Sequence, residues 1–236
     1  MVENFKLTAY ELKRQLKISI YLPDGYHDNN SYYPVIFALD GQIMFHSLDD
    51  KKKEFDLPSI LDSCEKKCIC VGIHSPSNDL WRKSELLPFY NKENKEIDSS
   101  LAIIFSNYLV DKLYPLIKER YRITDDIYLL GFAEGAMLAL YTLYHYDLFR
   151  GAGIFSPAVS LCNGHIEDLI NHFTNNKLVY LYYGGNTLDE DLYYKLYKAF
   201  YDLKCSNLIV EYNEDEINDY LAWMTHINDF INFMLP

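Results

Sequence analysis

Short apolar runs alternate with amphipathic segments along most of this 236-residue chain. The runs are too short for helices and lack the polar interruptions of a half-exposed strand, so they are typical of strands buried on both faces. They lie at residues 35–39, 68–73, 127–130, 153–155, 178–182 and 208–211, after two extended stretches at 6–11 and 16–22. Predicted helices separate or follow them at residues 57–63, 101–116, 134–145, 167–173, 192–203 and 222–234. This alternation predicts an α/β fold, in which helices cover both faces of a mostly parallel sheet.

The length of the chain fits one such domain, since single α/β domains routinely run to roughly 200–250 residues. We therefore expect one domain over residues 1–236. In a parallel sheet of this kind, ligands bind in the loops beyond the carboxyl ends of the strands. Those loops are where functional residues are expected.

Charge and hydropathy exclude several classes of partner. The formal charge is −12, from 22 Lys+Arg and 34 Asp+Glu, whereas nucleic-acid binding requires a basic surface. No apolar run reaches the ~18 residues that span a bilayer, and the first six residues contain no apolar signal region. We expect a cytoplasmic protein with neither a nucleic-acid nor a membrane partner. Whether chains associate into a homo-oligomer is left open.

The cysteines favour core packing over metal binding. The chain has five, and Cys64, Cys68 and Cys70 do not have the Cys-x-x-Cys spacing of a zinc site. Cys68 and Cys70 also belong to a predicted buried strand. We expect reduced thiols, no metal and no cofactor.

One stretch suggests enzyme-like chemistry. The apolar run at 127–130 leads into Gly131-Phe132-Ala133-Glu134-Gly135 and then directly into a helix. A strand, a Gly-x-Ser-x-Gly turn and a helix form the nucleophile elbow of α/β-hydrolases, in which a strained turn exposes a serine hydroxyl. Here the middle residue is Ala133, which has no group that can attack a carbonyl.

Several motifs flank this stretch in a recognisable order. They are the segments 20–26 (IYLPDGY) and 33–42 (YPVIFALDGQ), Val71-Gly72-Ile73, Arg82-x-x-Glu85-x-x-Pro88, residues 113–117 (LYPLI), Tyr121-Arg122, and 155–158 (FSPA). With them the chain resembles the esterase family of α/β-hydrolases that includes esterase D, enterochelin-type esterases, and feruloyl and acetylxylan carbohydrate esterases. The resemblance covers nearly the whole chain. It implies a three-layer α/β-hydrolase sandwich, with antiparallel strands at the N-terminal side of the sheet.

The resemblance also assigns catalytic positions. The family nucleophile falls on Ala133, and the family pattern His-x-aromatic-x-x-Trp reads Asn218-Asp219-Tyr220-Leu221-Ala222-Trp223 here. The histidine position is therefore Asn218, while Asp189 or Glu190 occupies the acid position. The oxyanion hole implied by the fold comprises the backbone N–H groups of Gln42 and Glu134. Candidates for a pocket are Asp40, Gly41, His74, Trp81 and Arg82. Arg82 and Glu85 either pair structurally or help to bind a polar substrate, and the structural pair is favoured.

Two interpretations follow. The first is a catalytically silent member of the family that binds a ligand or a partner, such as a small ester-like or carboxylate compound. The second is an active carboxylic-ester hydrolase acting on small acyl or sugar esters, with relocated catalytic residues or an engineered Ser→Ala change at position 133. Asn218 argues against the engineered change, because one designed substitution leaves the second loss unexplained. His46, His74, His226 and Cys162 are the alternative reactive groups, and each is expected to be an ordinary surface or core residue.

Overall fold

The computed structural model describes residues 1–45, 55–89, 96–162, 165–174, 176–185, 190–202 and 207–236. The strands are β1 (Val2–Ala9), β2 (Arg14–Tyr21), β3 (Tyr33–Leu39), β4 (Ile69–Ile73), β5 (Ile123–Phe132), β6 (Gly151–Phe155), β7 (Leu178–Gly184) and β8 (Leu208–Asn213). They form one sheet in the order β1-β2-β4-β3-β5-β6-β7-β8. β1 pairs antiparallel with β2, and β2 with β4, whereas every other pair is parallel. The predicted α/β-hydrolase architecture is confirmed.

The helices connect these strands. They are α1 (Gly41–Met44), α2 (Leu57–Ser63), α3 (Asp79–Leu86), α4 (Ser100–Tyr108), α5 (Tyr114–Arg120), α6 (Glu134–His145), α7 (Ile166–Ile170), α8 (Glu190–Asp202) and α9 (Tyr220–Met234), with a short 3₁₀ turn at Val159–Cys162. The long helix predicted over residues 101–116 is interrupted: a π-helical turn at Leu109–Leu113 separates α4 from α5. Within the described ranges, none of the helices combines the length and apolar character that crossing a bilayer requires.

The sheet divides the core into two layers, as the period-two geometry of a strand requires. In β3, Val35, Phe37 and Leu39 face one cluster of buried side chains, whereas Ile36 and Ala38 face the other. Buried residues of α3 to α8 belong to the first cluster, and those of α2 and α9 to the second. The strands therefore have apolar residues at consecutive positions because both of their faces are covered.

One charge lies completely inside this core. Glu85 of α3 is 0% exposed, and Arg14 at the start of β2 contacts it through Nε–Oε1 and Nη2–Oε2, both 2.7 Å. Burial raises the pKa of the Glu85 carboxyl, and the hydrogen bonds from Arg14 oppose that rise. Arg14 Nη2 also donates to the carbonyl of His74, 3.1 Å away. The pair fixes α3 against the antiparallel edge of the sheet.

We expect Arg14→Met to lower the free energy of unfolding by about 3–5 kcal/mol, because it leaves a buried carboxylate without its counter-charge. Urea denaturation at neutral pH measures the change. The double variant Arg14→Met/Glu85→Leu should recover most of the loss. The exposed pair Lys198–Asp202 (2.6 Å) provides the control, since Lys198→Met removes only a solvent-screened ion pair and should leave stability nearly unchanged. A similarly small effect for Arg14→Met would contradict the role given to this pair.

Candidate functional site

The turn between β5 and α6 has the backbone of a nucleophile elbow. Ala133 has φ 49° and ψ −115°, a region that residues with a side chain rarely adopt. Its N–H donates to the carbonyl of Phe155 (3.0 Å), and its own carbonyl accepts from the N–H of Ala158 (3.2 Å). A Cβ on Gly131 would lie 2.3 Å from the carbonyl oxygen of Gly135, so only glycine fits there. The strained turn is intact and carries a methyl group at its tip.

A second loop faces this turn. Asp40, after β3, adopts a left-handed conformation (φ 63°, ψ 42°) and begins α1. The Gln42 side chain donates to Asp40 Oδ1 (2.9 Å) and accepts from the N–H of Ser75 (2.8 Å), which holds the loop. The backbone N–H groups of Gln42 and Glu134 belong to the first turns of α1 and α6, where no acceptor exists within the helix. The oxyanion hole that the resemblance implies would use these two N–H groups, and both residues line the same cleft.

The two loops border a cleft of about 560 Å³. Its described lining comprises Asp40, Gln42, Ile43, Ser75, Pro76, Ser77, Arg82, Phe132, Ala133, Glu134 and Trp223. The structure therefore brings together five of the positions singled out in the sequence: Asp40, Gln42, Arg82, Ala133 and Glu134. At 49% exposure Trp81 lies on the surface, and Gly41 is buried beside the backbone of Gly72.

Arg82 is the only basic residue among the described lining residues, and it forms ion pairs with two carboxylates. Its Nε and Nη2 donate to Asp40 Oδ1 and Oδ2 at 2.9 and 2.7 Å, and Nη1 donates to Glu134 Oε2 at 2.9 Å. The expected pairing of Arg82 with Glu85 is therefore wrong. Glu85 points into the core towards Arg14, whereas Arg82 points into the cleft and joins its two loops.

At the histidine position, an amide forms a structural junction. Asn218 Oδ1 accepts from the N–H of Gly184 at the end of β7 (2.8 Å) and from Ser156 Oγ after β6 (2.5 Å). Trp223 Nε1 of α9 donates to the same Ser156 hydroxyl (2.9 Å). We call Ser156, Asn218 and Trp223 the amide junction. In the sequence, Trp223 stands at the end of the pattern that begins at Asn218, and Ser156 stands in the motif at 155–158, but neither residue was assigned a role.

The acid position lies largely outside the described residues. Asp189 is not among them, and Glu190 is described only as the first residue of α8. His46 is also outside the described ranges.

The remaining candidates lie away from the cleft lining. His74 is buried, and its Nε2 lies 2.8 Å from Ser19 Oγ. Burial, with contributions from Lys17 and Arg14, lowers the pKa of His74 to about 4. Ser19 is 1% exposed, so this serine–histidine pair is closed to a substrate. Cys162 donates to the carbonyl of Phe89, and burial raises the pKa of its thiol to about 12, which keeps it protonated and unreactive.

Because the methyl group of Ala133 forces a strained φ, we expect Ala133→Gly to raise the free energy of unfolding by about 1 kcal/mol. The expected gain in free energy is the strain energy that is relieved at residue 133, minus the larger conformational entropy that glycine loses on folding. Urea denaturation tests this, with Ala199→Gly in α8 as the matched control, which should lose about 1 kcal/mol. Equal destabilisation by both substitutions would show that the turn is unstrained.

Comparison with known proteins agrees with this geometry. The family model described as "Putative esterase" matches residues 9–200. No curated protein matches the chain by sequence. Among solved structures, an IroE-like serine hydrolase from Shewanella oneidensis has a TM-score of 0.80 at 20% identity, over 99% of this chain and 79% of that one.

Two further structures are similar over almost the whole chain. The BES protein from Bacillus cereus has a TM-score of 0.79 at 18% identity, over 100% of this chain and 95% of that one. An enterochelin esterase from Shigella flexneri has a TM-score of 0.76 at 16% identity, over 98% of this chain and 57% of that one. At these identities the structures support the fold, and the match over residues 9–200 establishes the family. This chain belongs to the esterase family of α/β-hydrolases.

Proposed function

We propose that this chain is a catalytically silent esterase-family member that binds a small carbonyl compound in the cleft beside Ala133. Ala133 supplies no nucleophile, and the amide of Asn218 cannot accept a proton near neutral pH. In a serine-hydrolase triad, loss of the nucleophile or the base costs on the order of 10⁶ in turnover. An oxyanion hole without a nucleophile can still bind a carbonyl oxygen.

The observation that carries this proposal is the strained turn itself. A backbone in this region costs of order 1–3 kcal/mol and persists only where surrounding structure enforces it. Here the enforcing contacts are those of Ala133 with Phe155 and Ala158. They keep the first turn of α6 beside the cleft although position 133 has no hydroxyl to hold there. A role in binding accounts for that arrangement, because binding uses the amides alone.

The charge of the cleft narrows the ligand class. Among the described lining residues, Asp40 and Glu134 are acidic and Arg82 is basic, so their sum is −1. Arg82 already donates to both carboxylates. This net negative charge would repel a carboxylate ligand. It would not repel an ester or another neutral carbonyl compound. Phe132 and Trp223 add an apolar wall whose ring centroids lie 4.7 Å apart. We therefore favour a neutral ester-like ligand over a carboxylate.

The second candidate, an active hydrolase with relocated residues, draws support from relatives that are named esterases and hydrolases. Ser156 is the hydroxyl of the amide junction, but its partners are Asn218 and Trp223. Neither is a base. Ser75 and Ser77 line the cleft, but no histidine stands among its described lining residues to activate either of them.

The decisive test is activity of the purified chain. We expect no burst with p-nitrophenyl acetate and no labelling by a fluorophosphonate probe, because both require an activated nucleophile. Ala133→Ser/Asn218→His should gain labelling and turnover, roughly 10²-fold or more over the wild type, a small part of the ~10⁶ that a full triad supplies. Ala133→Ser and Asn218→His alone are the matched controls and should stay near the wild-type rate.

Labelling of the wild-type chain would overturn catalytic silence. A folded double variant without any gain would contradict the expectation that the rest of the catalytic site is intact around position 133. Circular dichroism distinguishes that outcome from misfolding.

The ligand class has its own test. In ligand-observed NMR we expect methyl benzoate to bind at least about fivefold more tightly than benzoate, a difference of about 1 kcal/mol. Glu134→Gln should reduce that preference, because it removes a negative charge from the cleft and leaves Arg82 with Asp40 as its one remaining carboxylate partner. Glu167→Gln, at an exposed carboxylate of α7, is the control and should leave the preference unchanged. Tighter binding of benzoate to the wild type would refute the assignment.

A further inference from the structure

A cluster of ligand-type side chains lies on β8 and α9, outside the cleft lining. One ligand atom from each of Glu211, His226 and Asp229 lies within 4.8 Å of the others. Glu211 comes from β8, and His226 and Asp229 are three residues apart on α9, which places them on one face of the helix. Glu211 Oε2 lies 2.5 Å from His226 Nδ1.

The other nitrogen of the same imidazole is already oriented. His226 Nε2 lies 2.9 Å from Glu216 Oε2. Glu216 accepts a further hydrogen bond from Tyr182 Oη at 2.8 Å. A histidine that binds a metal almost always donates its second N–H to a carboxylate or carbonyl, which fixes the tautomer and the ring. Glu216 is placed to do this, and it leaves Nδ1 directed at Glu211.

Buried phenols fix the carboxylates as well. Tyr180 Oη donates to Glu211 at 2.5 Å, and the Tyr180 and Tyr182 side chains are both 0% exposed. The Tyr182 ring also stacks against His226, with centroids 4.2 Å apart. The fully buried side chains of Tyr180 and Tyr182 therefore hold the carboxylates of Glu211 and Glu216 in place. This is unlike a patch of solvated surface acids, whose side chains sample many rotamers.

The charges in the cluster are unbalanced. Three carboxylates (Glu211, Glu216 and Asp229) surround a single imidazole, which carries at most one positive charge. In the part of the chain that the structure describes, no lysine or arginine forms an ion pair with any of the three. A bound divalent cation would neutralise this excess.

We propose that Glu211, His226 and Asp229 form a binding site for a divalent transition-metal ion, with zinc as the best fit. Imidazole nitrogen together with carboxylate oxygen is a zinc ligand set, whereas magnesium and calcium prefer oxygen ligands alone. Ligands 2.0–2.2 Å from one zinc are about 3.4 Å apart, so the present spacing needs only side-chain adjustments. Binding takes neutral imidazole through Nδ1 and releases any proton held there to solvent, while Nε2–H stays on Glu216. Solvent completes the coordination.

The sequence did not suggest this site, since the absence of metal was inferred from cysteine spacing. The three ligands are 15 and 3 residues apart on two different elements, and no short motif connects them. The site is also independent of the proposed function, because none of its residues lines the described cleft.

Metal-stripped protein should be titrated with Zn²⁺ by isothermal titration calorimetry and, separately, with Co²⁺ by absorption spectroscopy. We expect one Zn²⁺ per chain and a Co²⁺ spectrum without a thiolate charge-transfer band. Asp229→Asn should weaken Zn²⁺ binding at least tenfold. Asp229 is exposed, so this variant should keep the fold even where His226→Asn does not.

Asp168→Asn is the matched control, because Asp168 also lies three residues after a histidine, with His165 Nδ1 3.3 Å away. It should bind Zn²⁺ like the wild type. Three results would overturn the proposal: no stoichiometric Zn²⁺ binding, equal affinity in Asp229→Asn and the wild type, or a thiolate band that assigns the metal to the cysteines.

Discussion

The backbone turn at Ala133 is the constraint on which the cleft depends. It sends the chain from the central strand β5 into α6 with a reversal that a regular residue does not adopt. Because α6 begins at this point, Glu134 reaches Arg82, and Arg82 in turn holds Asp40 on the opposite loop. One strained residue thereby determines the positions of both walls. The contacts to Phe155 and Ala158 anchor that residue to the neighbouring strand and the loop beyond it.

The fold could be predicted because its determinants are local. Consecutive apolar residues indicate strands covered on both faces, and a glycine on each side of a sharp turn is a short-range steric requirement. Helix α3 was missed because its sequence, DLWRKSEL, is mostly polar. It is stabilised instead by the Asn78 side chain, which accepts from the N–H of Trp81, and by the distant Arg14. These contacts cannot be read from the eight residues of the helix itself, because both partners lie outside them.

The site was predicted only where backbone conformation defines it. Ala133, Gln42 and Glu134 follow from strand ends and helix starts, and they meet at the cleft. The partners of charged side chains could not be predicted from the sequence. Arg14 and Glu85, for example, are 71 residues apart in the chain and meet only in the tertiary structure. His74 is a similar case. It follows a strand at the ligand-binding edge of the sheet, yet its ring turns towards Ser19 on β2. The place of a residue at the end of a strand predicts the edge of the sheet at which it lies, but it does not predict where its side chain points.

The amide junction couples the residue at position 218 to the stability of the fold. Asn218 Oδ1 accepts from a backbone N–H of β7 and from a buried hydroxyl, whereas a neutral imidazole has only one acceptor nitrogen, so exchanging Asn218 for histidine leaves at least one of the two donors without its acceptor. A serine placed at position 133 would meet no imidazole at position 218 unless Asn218 were replaced as well. The replacement of Asn218 carries a cost in stability of its own, because its amide joins the end of β7, the loop after β6 and, through Ser156, α9. The chemistry of this turn and the stability of three neighbouring elements are therefore coupled through one side chain.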